Sequence, residues 1–291
     1  MDIQRIIKKL ALLPAYAVAI REAGSNQPYH VKYPSMHRWY ADPFVCHDEA
    51  RTYVFVELMH AYQRYGQIAV APVEQGKIGD FHVVLDEPFH LSFPNVFQWQ
   101  GVWYMLPETK MSHQLRLYRA KQFPVAWKLD HVLMEDVTLV DHALFPQPDG
   151  FLVVSHDTSV KRNRIYYLRM ADGSVEELHP EGKFSNGRPG GTFYQNDGRW
   201  QHVIQDCKRA YGDFLHVYET ACFTERAFEE QEICTMSVGD VAFLQDNHAM
   251  EHLHTYNTDG VYEVIDLQYM KWYPDKMFIH WWQEYLEHRH R

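Results

Sequence analysis

Apolar residues along the chain gather into strand-length runs separated by turn residues, and no helical period is sustained before the C-terminal end. The runs come in pairs. DPFVCHDEARTYVFVE begins at Asp42 and closes on Glu57, and FPNVFQWQGVWYMLPE runs from Phe93 to Glu108. HALFPQPDGFLVVSHD spans His142 to Asp157, GTFYQNDGRWQHVIQD spans Gly191 to Asp206, and EHLHTYNTDGVYEVID spans Glu251 to Asp266. Each pair reads as a short apolar strand, a turn-rich middle and a second strand ending on a carboxylate. Gly101, Gly150, Gly198 and Gly260 mark four of the turns, where positive φ costs glycine little.

The closing acids Glu57, Glu108, Asp157, Asp206 and Asp266 follow one another at 51, 49, 49 and 60 residues. A third strand follows four of them (GQIAVAPV, QLRLYRA, RIYYLRM and FLHVYET), and fainter fourth strands such as FHVVLD follow the first copies. Units of about fifty residues with four strands each predict an all-β, five-bladed β-propeller. A meander of hairpins in a β-sandwich is the competing architecture. The expected blades cover residues 30–90, 91–139, 140–183, 184–240 and 241–280 of a single domain. The last copy lacks outer strands, so AYAVAI (residues 15–20) is expected to close the ring. DKMFIHWWQEYLEHRHR reads as a strand and then a helix packed outside.

In a propeller the start of each first strand and the end of each second lie on one face. That places Asp42, Phe93, Asp141 or His142, Arg188 and His254 around an axial mouth with Trp39 and Tyr40, surrounded by the five recurring acids. Aromatic faces stack on sugar rings while carboxylates and arginine meet hydroxyls. Glycosidic bond cleavage needs two carboxylates in opposite protonation states. Asp42 is the foremost candidate. Arg188 reads either as a turn residue or as a clamp. Asp141 and His142 are neighbours on a strand, so only one can face the tunnel. The pair His252 and His254 reads as metal-binding or, more simply, as hydrogen-bonded core histidines. No metal or cofactor is expected, a structural ion in the tunnel being left open.

The 291 residues carry a formal charge of −10 with no basic run longer than two, which argues against a nucleic-acid partner. No apolar stretch is long enough for a membrane span. RIIKKLALLPAYAVAI reads as an amphipathic lead-in to a strand, with a short signal peptide as the alternative. Four cysteines without CxxC spacing fit a reducing, cytoplasmic compartment. Nothing in the sequence specifies an oligomeric state.

WYADPFV with YVFVE, FPNVFQWQGVWYMLPET with LRLYRAKQFPVAW, the run GRPGGTFYQNDGRWQHVIQDCKRAYGDFLHVYE, and HLHTYNTDGVYEVID together resemble the arabinanase/levansucrase/invertase superfamily. These are the five-bladed propellers of glycoside hydrolase families 43, 32 and 68. The chain is more closely similar to a bacterial and plant group that includes the N-terminal domain of plant glucosamine inositolphosphorylceramide transferases. The resemblance implies a propeller that acts on or binds carbohydrate, with Asp42 as base or nucleophile. It departs at Phe93-Pro94-Asn95, where the hydrolases carry an aspartate, and at Asp141-His142, where they carry the glutamic general acid. Either Asp141 or Glu108 would then be the partner acid. Trp39, Tyr40, His142, Arg188, Asp206, Tyr211 and His254 are the expected substrate contacts. A carbohydrate or glycoconjugate is the expected partner, held for transfer or hydrolysis, or bound without chemistry by a module of polysaccharide or glycolipid biosynthesis. A protein-interaction propeller would instead show a contiguous apolar patch on its rim.

Overall fold

The computed structural model describes residues 12–182, 184–207, 212–244 and 249–288. Residues 1–11, and the lead-in or leader read there, lie outside them. Five mainly antiparallel sheets form the blades of a propeller. Blade one runs outward through Arg38–His47, Thr52–His60 and Gln67–Glu74. Blade two contains Ser92–Trp99, Val102–Glu108, Gln114–Gln122 and Ala126–Glu135. Blade three contains Leu139–Gln147, Gly150–Asp157, Arg162–Arg169 and Val175–Leu178. In blade four, Tyr194–Asn196 leads to Arg199–Asp206, Phe214–Phe223 and Ala227–Met236.

Blade five is built from both ends of the chain. Leu12–Glu22 pairs along its whole length with Tyr262–Trp272, in register from Leu12 opposite Trp272 to Glu22 opposite Tyr262. Tyr29–Lys32, which the repeat spacing counts with the first blade, pairs with Leu12–Glu22 and so belongs to the fifth. Among the described residues, the C-terminal segment holds no strand after Tyr262–Trp272. It turns at Pro274 and Asp275 into a helix, Lys276–His288.

The apolar side chains form wedges between neighbouring blades. Phe55 and Ile68 of blade one meet Met105 and Tyr118 of blade two. Leu115 and Leu117 of blade two meet Tyr166 and Leu168 of blade three, and Phe145 of blade three meets Phe193 and Phe228 of blade four. A strand pressed on both faces explains why runs such as YVFVE lack clean alternation. The hairpin glycines serve two purposes. Gln100-Gly101 and Asp197-Gly198 have positive φ at both positions, as a two-residue hairpin loop of the strand-matching twist needs. Gly150 is not left-handed; a Cβ there would lie 1.9 Å from the Leu168 carbonyl oxygen, so close strand approach is what excludes a side chain.

The innermost strands are stitched to one another around the ring. Phe93 N–H donates to Asp42 Oδ2 (3.2 Å), joining blades one and two, and Asn95 Nδ2 donates to His142 O (2.8 Å), joining two and three. Thr192 Oγ1 accepts from Leu144 N–H (2.9 Å) across blades three and four. Asn257 Oδ1 accepts from Thr192 N–H (2.9 Å) and its Nδ2 donates to Pro43 O (2.9 Å), so one amide spans blades four, five and one. These groups lie in the buried channel, where a lost partner strands a polar atom. Asn257→Ala removes both bonds and is expected to lower the unfolding free energy by about 2–4 kcal/mol, read as a reduced denaturant midpoint; a change within error would show the stitch to be dispensable.

Candidate functional site

On one face of the ring a cavity of about 300 Å³ is lined by Tyr16, Trp39, Ala41, Asp42, Glu57, His90, Ser92, Glu108, Arg188 and His254. Its acids are aimed by a local backbone device. Asp42, Phe93 and Asp141 all have φ near +50° (49°, 45° and 51°). Each sits at a β-bulge, between Ala41 and Phe44, Ser92 and Asn95, and Val140 and Ala143. The bulge breaks the alternation of the strand, which is how sequence neighbours Ala41 and Asp42 both reach the cavity. The residues paired opposite the preceding positions are Glu57, Glu108 and His156. The third repeat therefore starts at Asp141 and closes at His156, one residue earlier than the spacing of acids suggests.

Asp42 is buried and receives two donors besides placing its own N–H on Asp266 Oδ2 (3.1 Å). Phe93 N–H reaches its Oδ2 at 3.2 Å, and His254 Nε2 lies 3.2 Å from its Oδ1. His254 Nδ1 lies 2.8 Å from Asp266 Oδ2. Burial opposes charge on this imidazole, but Asp266 and Asp42 outweigh it and hold His254 well above its ordinary value. Asp266, although burial pushes it up, is held below the usual carboxylate range by His254 and by hydrogen bonds from the backbone.

Opposite this group, Arg188 makes a two-pronged ion pair with Asp141: Nε bonds Oδ2 and Nη2 lies 3.1 Å from Oδ1. Nη2 also lies 3.7 Å from Glu108 Oε2. Burial pushes the Asp141 carboxyl upward, and the guanidinium pulls against it. Five carboxyl groups (Asp42, Glu57, Glu108, Asp141 and Asp266) thus face two cations, Arg188 and His254. Glu57 and Glu108 absorb the excess. Burial, then Asp42 and Glu108, raises Glu57 well above its ordinary value. Burial, then Asp141, pushes Glu108 up to about 8 against the pull of Arg188. His90, 3.4 Å from Glu57 through its Nε2, is lowered by its own burial.

The remaining expected contacts lie elsewhere. Tyr40 is buried between blades against Phe81, with ring centroids 4.5 Å apart, because strand alternation turns it away from Trp39. Phe93 is wholly buried and packs edge-on against Phe44, so its ring does not form part of the mouth. His142 is buried with Nδ1 at 2.8 Å from Ser155 Oγ, and burial alone pushes it down to about 3; its Nε2 makes no hydrogen bond among the described residues. Asp141 stays with Arg188 and does not line the cavity. Asp206 bonds His216 (3.1 Å) and borders a neighbouring groove that shares Arg188. Asp157 serves its own turn through Thr138, Ser159 and Arg164. Tyr211 lies outside the described residues. His252 faces Asp213 at 3.5 Å, apart from His254. The ligand-type atoms of Asp42, His254 and Asp266 lie within 4.8 Å of one another, and each imidazole nitrogen has a carboxylate oxygen within 3.2 Å.

Sequence reasoning missed Tyr16, His90 and Ser92. Tyr16 belongs to the strand read only as a ring closure; its hydroxyl accepts from Gln268 (2.8 Å), and its ring lies 5.0 Å from that of His254. His90 and Ser92 fall just before the second repeat, where no spacing marks them.

The charge pattern fixes a pH dependence. A carboxyl raised from 4.5 to about 8 on folding binds its proton more tightly in the native state. Its stabilising contribution is therefore complete below the unfolded value and lost as pH rises through that window. Glu108→Gln, which cannot ionise, is expected to flatten the fall in melting temperature between these values. At alkaline pH it should gain on the order of a few kcal/mol over the wild type. Parallel melting profiles for the two proteins would contradict the assignment.

Comparison with known proteins places this chain in a family. The family described as "Glucosamine inositolphosphorylceramide transferase 1, N-terminal" matches residues 15–242, a range that holds Asp42, Glu108 and Arg188 but ends before His254. Glucosamine inositolphosphorylceramide transferase 1 of Oryza sativa subsp. japonica is 32% identical over 212 residues, which is 68% of this chain and 28% of the relative. The Arabidopsis thaliana protein of the same name is 31% identical over 207 residues, or 66% and 27%. The chain thus spans little more than a quarter of either relative. Among solved structures, the catalytic domain of the GH62 α-L-arabinofuranosidase of Coprinopsis cinerea superposes with a TM-score of 0.61 at 12% identity, covering 88% of this chain and 98% of that one, which shows the shared propeller fold. With a family match over residues 15–242 and plant relatives at 31–32% identity, the chain belongs to the glucosamine inositolphosphorylceramide transferase 1 N-terminal family.

Proposed function

We propose that the cavity handles a glycosyl unit for transfer or hydrolysis, with Asp42 as base or nucleophile and Glu108 as proton donor. The observation that carries this reading is the coexistence, in one cavity, of an acid kept protonated to about pH 8 and a carboxylate supplied with donors by His254 and Phe93 N–H. That is the division of labour a glycosidic bond requires. Glu108 gives its proton to the leaving oxygen as the anomeric C–O bond breaks. Asp42 takes the proton of the incoming hydroxyl as that oxygen bonds the anomeric carbon, or attacks the anomeric carbon itself and is later displaced by that hydroxyl, whose proton returns to Glu108. Arg188 is committed to Asp141 and Glu108 and would orient ring hydroxyls, with Trp39 offering a stacking face. The relatives are named for glucosamine and inositolphosphorylceramide, so amino sugars and inositol phosphate glycolipids head the ligands to try.

A second reading, sugar held without chemistry, draws on the engagement of both Asp42 oxygens, Oδ1 by His254 and Oδ2 by Phe93 N–H. The two readings separate in a turnover and thermal-shift screen against glycans and nucleotide sugars. For catalysis, Asp42→Asn is expected to lower turnover by about 10²–10⁴-fold while retaining ligand-induced stabilisation. Glu108→Gln should lose most activity on poor leaving groups and little on activated aryl glycosides, and wild-type activity should fall as pH rises past about 8. Equal stabilisation of wild type and Asp42→Asn by a sugar that neither turns over would establish the binding module. Stabilisation by no sugar would remove the carbohydrate reading altogether.

A further inference from the structure

Another cavity, of about 490 Å³, lies between blades four and five on the face opposite the acidic one. Asp197 and Gly260, from the hairpin turns of these two blades, border it, and each second strand leads from such a turn to the end that carries the acid. Blade four presents Tyr194 and Gln201, which pair directly across neighbouring strands and so stand on one side of the sheet. Blade five presents Tyr256 and Glu263. The two tyrosine rings meet with centroids 5.2 Å apart and a tilt of 57°. Val217, Ile233 and Met236 complete the wall with apolar surface.

The polar groups of this wall divide into engaged and unengaged. Glu263 is fully engaged: Oε1 accepts from Tyr29 Oη (2.6 Å) and from Arg21 Nε, and Oε2 accepts from Tyr256 Oη (3.0 Å). Its pairing with Arg21 leaves no buried charge for a ligand to answer. Tyr194 and Gln201 are only 8% and 7% exposed, yet each keeps a polar group without a partner among the described residues. Gln201 Oε1 accepts from Asn196 Nδ2 (3.4 Å), while Nε2 donates to nothing there. The Tyr194 hydroxyl makes no hydrogen bond; burial first, then Cys234 and Glu263, raises its phenol, and both of these residues line the cavity too, so the hydroxyl is the end that faces it. Buried polar groups are ordinarily paired, and two adjoining ones left open toward a cavity call for partners from outside the chain. A hydroxyl and an amide donor beside tyrosine faces match an uncharged ring with hydroxyls on its edge and C–H groups on its face.

We propose that this cavity is a second carbohydrate site, which holds a neutral sugar unit without chemistry on the face remote from Asp42 and Glu108. It does not rest on the glycosyl reading of the acidic cavity. Cys234 lines the site with a free thiol, so its alkylation reports occupancy. The full chain is labelled with iodoacetamide in D-glucose, D-galactose, D-mannose or N-acetyl-D-glucosamine, and the rate at each cysteine is read by peptide mass spectrometry. Cys222, also free and outside the cavity, is the reference. At about 50 mM sugar and a Kd of about 10 mM, at least one of the four is expected to slow Cys234 roughly sixfold relative to Cys222. Tyr194→Phe/Gln201→Ala should abolish that protection with little change in melting temperature, and Tyr194→Phe alone, which removes a single oxygen, should weaken it. Asp42→Asn should be protected like the wild type, so that chemistry in the acidic cavity and binding here fail separately. Protection by none of the four sugars would show that water satisfies the two groups, and protection undiminished in both Tyr194 variants would put the sugar elsewhere; either result overturns the proposal.

Discussion

The His254 imidazole between Asp42 and Asp266 is the constraint on which the rest of the structure hangs. Asp42 comes from blade one, and His254 and Asp266 come from blade five, whose outer strands are the first strands of the chain. The group therefore lies at the seam where the ring closes. A buried ion cluster is a poor source of net stability, since desolvation offsets most of the attraction, but breaking it by removing one partner leaves an uncompensated charge and costs several kcal/mol. The seam is thus specified: only a closed ring with Asp42 opposite His254 satisfies all three groups.

The same cluster sets the chemistry of the cavity. Asp42 and Asp266 share His254, and Asp141 takes the two-pronged pair with Arg188, which leaves Glu108 only a 3.7 Å approach of that guanidinium and Glu57 only His90, whose burial disfavours charge. Their protons are the cheapest way to settle the imbalance in a site that water reaches poorly. The acid–base asymmetry follows from an odd arrangement of charges around the ring and not from any special feature of Glu108 itself. Phe93 contributes to this by its place in the repeat. In the position that holds Asp42 in blade one and Asp141 in blade three, it supplies a backbone N–H and no further charge.

Much of this was legible in the chain. The recurrence of paired runs, the fifty-residue unit and the missing outer strands of the last copy follow from strand length, turn chemistry and the need to cover sheet edges, all of which are local. Asp42, Glu108, Arg188 and His254 could be grouped because a propeller brings equivalent positions to one face. The register of the third copy could not be read, because acids at Asp141 and Asp157 both fit the spacing and the bulge that distinguishes them leaves no compositional mark. Tyr40 and Phe93 were grouped with the mouth because nothing in WYADPFV or FPNVF shows which residues face it: alternation alone turns Tyr40 away from Trp39, and Phe93 is itself the left-handed residue of its bulge.

By itself the sequence determined the blade count, the closure by a strand from the N-terminal end and the face that collects the acids, since periodicity and edge pairing are properties of the chain. The tertiary structure alone decided which acids are charged. Protonation depends on distances between blades, on burial and on whether Arg188 turns to Asp141 or to Glu108, and none of these is a property of sequence neighbours. It also decided that the C-terminal helix packs through Ile279 and Trp282, because only docking against Ala61, Tyr62 and Tyr273 fixes which side of its apolar arc turns inward.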